Sequence, residues 1–259
     1  MFISKMVTPA IPERIFTLCK IVGKKPISNL ELKEKMEPTF LHNKTSYYSD
    51  YRNAAEELNL INVSDNMISL AVDPGVIKSM DSMRQFINGK LEVFKDGEFY
   101  KVTSAYFSMG NRVLGLEQNV AAMAPYISNE IGIAVDPMQM RAWRFWVSFL
   151  GFGYLQDMFF IPNAYVFLKD LIDIAGLEKK KRYSFRTFIE CIRPQCNIII
   201  DTNISNRELN YGVSNGLRTL HDNGYIKLEH ILDQEDIWSL YPMNVHTVTS
   251  TVTNITILK

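Results

Sequence analysis

One junction recurs three times along the chain and limits what it can fold into: EELNLI at residues 56–61, SFLGFGYL at 148–155 and TLHDNGYI at 219–226. In each, an amphipathic run ends at Asn or Gly, and an apolar residue then opens a short strand-like segment. Asn and Gly tolerate the left-handed backbone that stops a helix. A period-two pattern after such a stop marks a strand. The copies are spaced by about ninety and then about seventy residues, too far apart for a solenoid and right for a module array. A chain of 259 residues has room for three such modules.

The first copy is the fullest. Pro12–Val22 puts Ile15, Leu18, Cys19 and Val22 on one helical face, and Gly23 stops it. Ser28, with Glu31 three residues on, predicts an N-cap and capping box for a helix over 29–36. Residues 45–58 predict a third helix with Tyr48, Tyr51, Ala55 and Leu58 inward. Residues 60–63 and 67–72, around Ser64-Asp65-Asn66, predict a hairpin.

The second copy predicts helices over 81–94, 100–109 and 117–127. A further helix is capped by Asp136, has Pro137 at its first position and continues to Leu150. Strands follow around Gln156-Asp157, then an extra helix over 163–175 closed by Gly176. Lys179, Lys180, Lys181 and Arg182 read as a linker. In the third copy a helix over 184–193 stops at Pro194. Ser205 caps a helix over 206–222, with Glu208 in the capping-box position, and Asn223-Gly224 ends it. Strands at 225–232 and 237–241 flank an acidic turn at 233–236, and the alternating tail 245–258 predicts an added strand.

The expected fold class is mainly α with small β-hairpins (α+β), in modules 1–76, 77–178 and 179–259. Three helices and a two-stranded hairpin form the plan of the winged helix-turn-helix. The run AAEELNLINVSDNMISLAV, in which the third helix passes straight into the wing, carries a resemblance to tandem winged-helix proteins. The opening, PAIPERIFTLCKIVGKKPISNLELKEKMEP, is similar to DpdG-like accessory proteins of bacterial anti-phage and DNA-modification gene clusters. That resemblance implies a non-catalytic subunit working beside a helicase or nuclease.

Charge tempers any nucleic-acid reading. The chain has 28 Lys+Arg against 28 Asp+Glu, so a polyanion would have to find a local basic patch. Residues 183–259 are slightly acidic. No secretory leader is expected at the start, and no apolar run reaches the length of a membrane span. Three cysteines, an odd and small number, fit a reducing compartment. Together these features place the expected location in the cytoplasm, with no membrane partner.

Catalytic patterns are sparse. The formal GxSxG at Gly212-Val213-Ser214-Asn215-Gly216, with His246 downstream, lies in a region that reads as helix, whereas that motif needs a strand-to-helix elbow. Cys191 and Cys196 lack partners for a zinc set. His42, His221, His230 and His246 are scattered. The carboxylates Glu190, Asp201, Asp233, Glu235 and Asp236 lack the E-x-K element of a metal nuclease. The expectation is a non-enzyme with no cofactor, metal or small-molecule substrate.

In a winged helix the third helix enters the major groove. The candidate contacts for double-stranded DNA are Lys44, Thr45, Ser46, Tyr47 and Arg52 in the first module, Arg141 and Arg144 in the second, and Lys179, Lys180, Lys181 and Arg182 beyond it. The third module carries Asp233, Glu235 and Asp236 on its wing, which would repel phosphate. Trp238 and Tyr241 follow, so this module is expected to bind a protein subunit, with the tail offering a strand edge. Three functions fit: a DNA-binding or adaptor subunit of a bacterial defence or DNA-processing complex, a protein-binding scaffold of a chromosome-organising ATPase, or a transcriptional regulator.

Overall fold

The computed structural model describes residues 2–41, 46–116, 119–200, 207–248 and 250–259. Helices dominate, joined by small antiparallel sheets.

The N-terminal unit runs α1 (Pro12–Val22), β1 (Ile27–Ser28), α2 (Asn29–Met36), α3 (Tyr48–Glu57), β2 (Ile61–Ser64) and β3 (Met67–Leu70). Its sheet order is β1-β3-β2. After the connecting helix α4 (Met80–Asn88), the middle unit contains α5 (Glu98–Ser108), the single turn α6 (Val113–Leu116), α7 (Ala124–Ile131), α8 (Pro137–Phe149) and the hairpin β4 (Gly153–Gln156)/β5 (Phe159–Pro162). The C-terminal unit follows with α9 (Tyr165–Ala175), β6 (Arg182–Ser184), α10 (Phe185–Ile192), α11 (Tyr211–Asp222), β7 (Ile226–Glu229), β8 (Trp238–Ser239), β9 (Thr251–Val252) and β10 (Asn254–Ile257).

The recurring junction has one geometry. Asn59, Gly151 and Gly224 are left-handed, with φ of 54°, 84° and 61°. The amide after each reaches five residues back: Leu60 to the Ala55 carbonyl, Phe152 to Val147, and Tyr225 to Leu220. The left-handed residue itself bonds three residues back, completing a Schellman stop. Two residues past it, at Ile61, Gly153 and Ile226, the strand begins. The sequence signal therefore encodes the helix stop and the start of the strand that follows it.

The outer units match more closely than the sequence pattern indicated. In the C-terminal sheet the order is β6-β10-β7, so a strand between the first two helices again pairs with the last strand. By this order α9, expected as an extra helix of the middle module, takes the place that α1 holds in the first unit. Both first helices end near a Lys-rich link (Gly23-Lys24-Lys25, then Gly176 through Lys179–181) and both strands end in a serine cap. Ser28 accepts from the Glu31 amide and Ser184 from the Thr187 amide. In the middle unit the corresponding strand shrinks to one backbone bond, from Val120 N to Met158 O.

Several expectations need correction. The strands at 225–232 and 237–241 do not pair with each other. β7 pairs with β10 from the tail, Ile255 opposite Leu228, because the tail has the inward isoleucines that complete that face. β8 pairs with β9 inside the excursion over 230–253. β10 thus fills the centre of a sheet and offers no free edge. α11 begins at Tyr211, capped by Asn210; Ser205 and Asn206 lie outside the described residues. The upstream Glu208 bridges to Ser239 instead of capping. The helix expected over 117–127 is a 3₁₀ turn, Val120–Met123, followed by α7. At α2, Glu31 pairs with Lys35, and only the Ser28 half of the expected box forms.

The units share one continuous core. Phe2 packs edge-on against Trp146 and beside Phe94 and Phe99, while the Trp146 indole donates to the Ala10 carbonyl at 2.6 Å. A Cβ on Gly97 would lie 1.6 Å from the Phe2 carbonyl oxygen, so glycine is required for that approach. The wholly buried Asp170 on α9 accepts from Arg84 at 2.7 Å and Asn88 at 2.9 Å, both on α4.

Candidate partner and nucleic-acid surfaces

The third helix differs sharply among the units. In the first, Lys44 and Thr45 lie outside the described residues. Ser46 and Tyr47 are exposed at the start of α3, but both are engaged by Glu37. The Ser46 hydroxyl donates to its carboxylate at 2.7 Å and the Tyr47 amide at 3.1 Å. Burial pushes the Glu37 pKa up, but the Ser46 hydroxyl and the Tyr47 and Tyr48 amides outweigh it and hold the carboxyl below its usual range. A carboxylate therefore occupies the anion-attracting end of the helix. Arg52 lies half-buried on α3 and donates to the Asn53 side-chain oxygen.

In the middle unit, Asp136 and Gln139 form a full capping box, and Asp136 also holds Lys5. Arg141 is exposed and leans on the Met138 sulfur; Arg144 reaches the Met158 sulfur of the hairpin turn and lies over the Phe145 ring. Among the described residues neither arginine has a carboxylate partner. Met138 is 51 % exposed. This face combines Met, Arg and Phe, residue types enriched at protein interfaces.

In the C-terminal unit no residue of α11 from Tyr211 to His221 is exposed. Gly212 and Gly216 lie against Phe107, Pro162 and the Ala164–Tyr165 backbone, where a Cβ would clash. The excursion over 230–253 covers the opposite side. Tyr241 stacks edge-on against Tyr211, and its amide donates to the Ser214 hydroxyl at 2.8 Å. Arg218 donates to the carbonyls of Tyr241 and Val248, and His246 meets Asp222 at 2.9 Å. Positions 211, 214, 218 and 222 form one helical stripe, and the chain itself occupies it.

The expected partner anchors fare differently. Trp238 is 1 % exposed and packs on Phe185, so it fills the core of its own unit. Tyr241 is half-buried against Tyr211. Asp233 and Glu235 are exposed, but Asp236 is claimed by Arg186 and Arg207 at 3.1 and 3.2 Å. The hydrogen bond from Arg186 holds the Asp236 carboxyl below its usual range.

Lys179, Lys180, Lys181 and Arg182 are all exposed, and this segment is part of the sheet, not a free linker. Lys180 N donates to Ile257 O at 2.6 Å, and Arg182 starts β6. Ile257 pairs with Ile226, just past the end of α11. The basic run therefore lies at the opposite end of a helix of about 18 Å from the terminus a groove reader would use.

The formal GxSxG run is not an exposed elbow, and His42 and Asp201 lie outside the described residues. Ser214 lies within a helix, its hydroxyl donating to Leu209 O and accepting from Tyr241, and the glycines of the GxSxG run serve close packing. Burial pushes the Cys19 and Cys196 thiols up to about 12. Cys191 is exposed and free. Among the described residues no three His, Cys, Asp or Glu side chains gather as a metal set, and no helix is long and apolar enough to cross a membrane. A cavity of about 780 Å³ between α5 and the start of α11 is lined by Glu92, Asp96, Glu208, Lys95 and tyrosine and serine hydroxyls. No family model, curated protein or solved structure matches the chain.

Proposed function

We propose that the chain is a tandem winged-helix adaptor, a non-catalytic subunit that joins proteins in a larger complex of the bacterial defence or DNA-processing kind. The order helix, strand, helix, helix, then strands in both outer units, with the first strand beside the last, supports the winged-helix reading; in the C-terminal unit β8 and β9 are inserted between the two wing strands. The observation that carries the adaptor role is the state of the three third helices. One is sealed by its own chain, one has its N-terminus held by Glu37, and the third presents Met138, Arg141, Arg144 and Phe145. Among the described residues none of these is a free basic surface shaped for a groove. The exposed Leu30, Phe40 and Leu41 of the first unit, with Phe40 83 % exposed, add apolar surface of the kind that partners cover.

The test is purification of the tagged chain from its natural cells beside an Arg141→Glu/Arg144→Glu form shown to be folded. The adaptor reading expects a stoichiometric protein partner that the double variant loses. A chain that elutes alone under gentle conditions, or a partner set indifferent to both charge reversals, contradicts it.

A further inference from the structure

The register of the C-terminal sheet assembles a surface that no stretch of sequence displays. Thr256 in the central strand pairs with Arg182 on one side and Lys227 on the other, so the three side chains form one row across the sheet. Tyr183, Ile255 and Leu228, one position away, alternate to the opposite face, where Ile255 and Leu228 are buried. Arg182, Thr256 and Lys227 therefore stand outward. Glu229, two residues beyond Lys227 on the same face, serves both cations, with 2.8 Å to Lys227 and 3.3 Å to Arg182. Lys179 and Lys180, both exposed, precede the row in the turn before β6, with no carboxylate within ion-pair distance among the described residues. Lys181 pairs with Glu178 and lies over the Tyr183 ring, so it belongs to the opposite face. Lys259 is also set apart, its ammonium on the Asn223 carbonyl at the end of α11 at 2.8 Å.

Four cations (Lys179, Lys180, Arg182 and Lys227) thus meet one carboxylate, Glu229, at this face. The neighbouring Lys169–Asp173 pair cancels itself. On a chain whose formal charge is +0, this is a marked local excess. The equivalent strand row of the first unit, with Ser28, Asn62, Ser64, Met67 and Ser69, is uncharged; the lysine link before the first strand is common to both units, so the Arg182–Lys227 row is what sets the C-terminal face apart. Lysine is depleted in the cores of protein interfaces, whereas its ammonium is a point-charge binder of phosphate. Apart from Leu258, 40 % exposed, the corner offers little apolar anchor for a protein.

We propose that this outer sheet face is a sequence-independent contact for the sugar-phosphate backbone of nucleic acid. It lies at the far end of α11 from the terminus a groove reader would use and has no element to enter a groove, so it holds phosphates without reading bases. It gives the adaptor a nucleic-acid partner, yet it rests on the sheet alone. Failure of the partner-protein test and failure of this one are seen in separate variants.

The experiment titrates the full chain into random-sequence duplex DNA and duplex RNA by fluorescence anisotropy, with salt raised from about 50 to about 200 mM. The wild type binds both, with affinity falling steeply as salt rises. Lys179→Gln/Lys180→Gln/Lys227→Gln weakens binding about tenfold or more and reduces the log–log salt slope by about 0.9 for each lost contact to duplex DNA. Lys24→Gln/Lys25→Gln, exposed lysines of the first unit, leaves binding unchanged. Circular dichroism confirms folding, and if the triple variant does not fold, the exposed pair Lys179→Glu/Lys180→Glu performs the same test. Absence of wild-type binding to either duplex, or an unchanged affinity and slope in the variants of Lys179, Lys180 and Lys227, overturns the proposal. Binding to phosphatidylserine vesicles with none to the duplexes overturns it in favour of a membrane surface.

Discussion

At the scale of single residues, burial separates side chains that look alike in sequence. Trp238 and Asp233 both read as interface residues because an aromatic beside acids is a common anchor pattern. Yet Trp238 lies against Phe185 in the core while Asp233 faces solvent. Trp238→Ala should lower unfolding free energy by about 3–5 kcal/mol, the usual cost of emptying a large aromatic site, read by urea denaturation. A loss under about 1 kcal/mol would put the indole at the surface after all. Asp170 is a sharper case, since nothing in its sequence neighbourhood distinguishes it from a solvated helix acid. Its carboxylate is wholly buried and holds Arg84 and Asn88. Asp170→Ala leaves Arg84 with Asp81 alone and should cost about 3 kcal/mol or more. Retained stability in that variant would mean that α4 is not anchored to α9.

At the scale of elements, local signals were legible and distant ones were not. α1 and the capped start of α8 follow directly from helical spacing and from Ser, Asp and Pro at the right positions. So does the first hairpin, whose turn residues Asp65 and Asn66 have φ of 47° and 65°. β1 and β6 escaped because two or three residues cannot display a period. β10 was read as a strand but not as the partner of β7, because the excursion over 230–253 separates them and pairing is decided by tertiary packing. The surfaces suffered most: Arg182 and Lys227 become neighbours only through Thr256, and Glu37 reaches α3 only because α2 folds back. The Glu37 contact has a pH consequence. Its folded pKa lies below the usual carboxylate value, so its stabilisation is present above that value and fades as pH falls through the lowered one. Glu37→Gln should cost about 1 kcal/mol near neutrality, and the gap to wild type should close as the solution is acidified. A gap that widens in acid would show that the carboxylate is not the group holding α3.

At the scale of the whole molecule, three helix-and-hairpin units share one core yet differ in what the helix before each junction exposes. A shared strand order in the outer two does not carry a shared role. The sealed α11, the Glu37-bound α3 and the Met- and Arg-bearing α8 each depart from a groove-reading surface for a separate physical reason. The central claim is therefore that this chain joins partners without reading DNA sequence. Selection from a randomised duplex DNA library, with the wild type and with Arg52→Ala and Arg141→Ala forms, tests that claim most directly. The account predicts that no base motif is enriched in any of the three selections; a motif enriched by the wild type and lost with either arginine would contradict it.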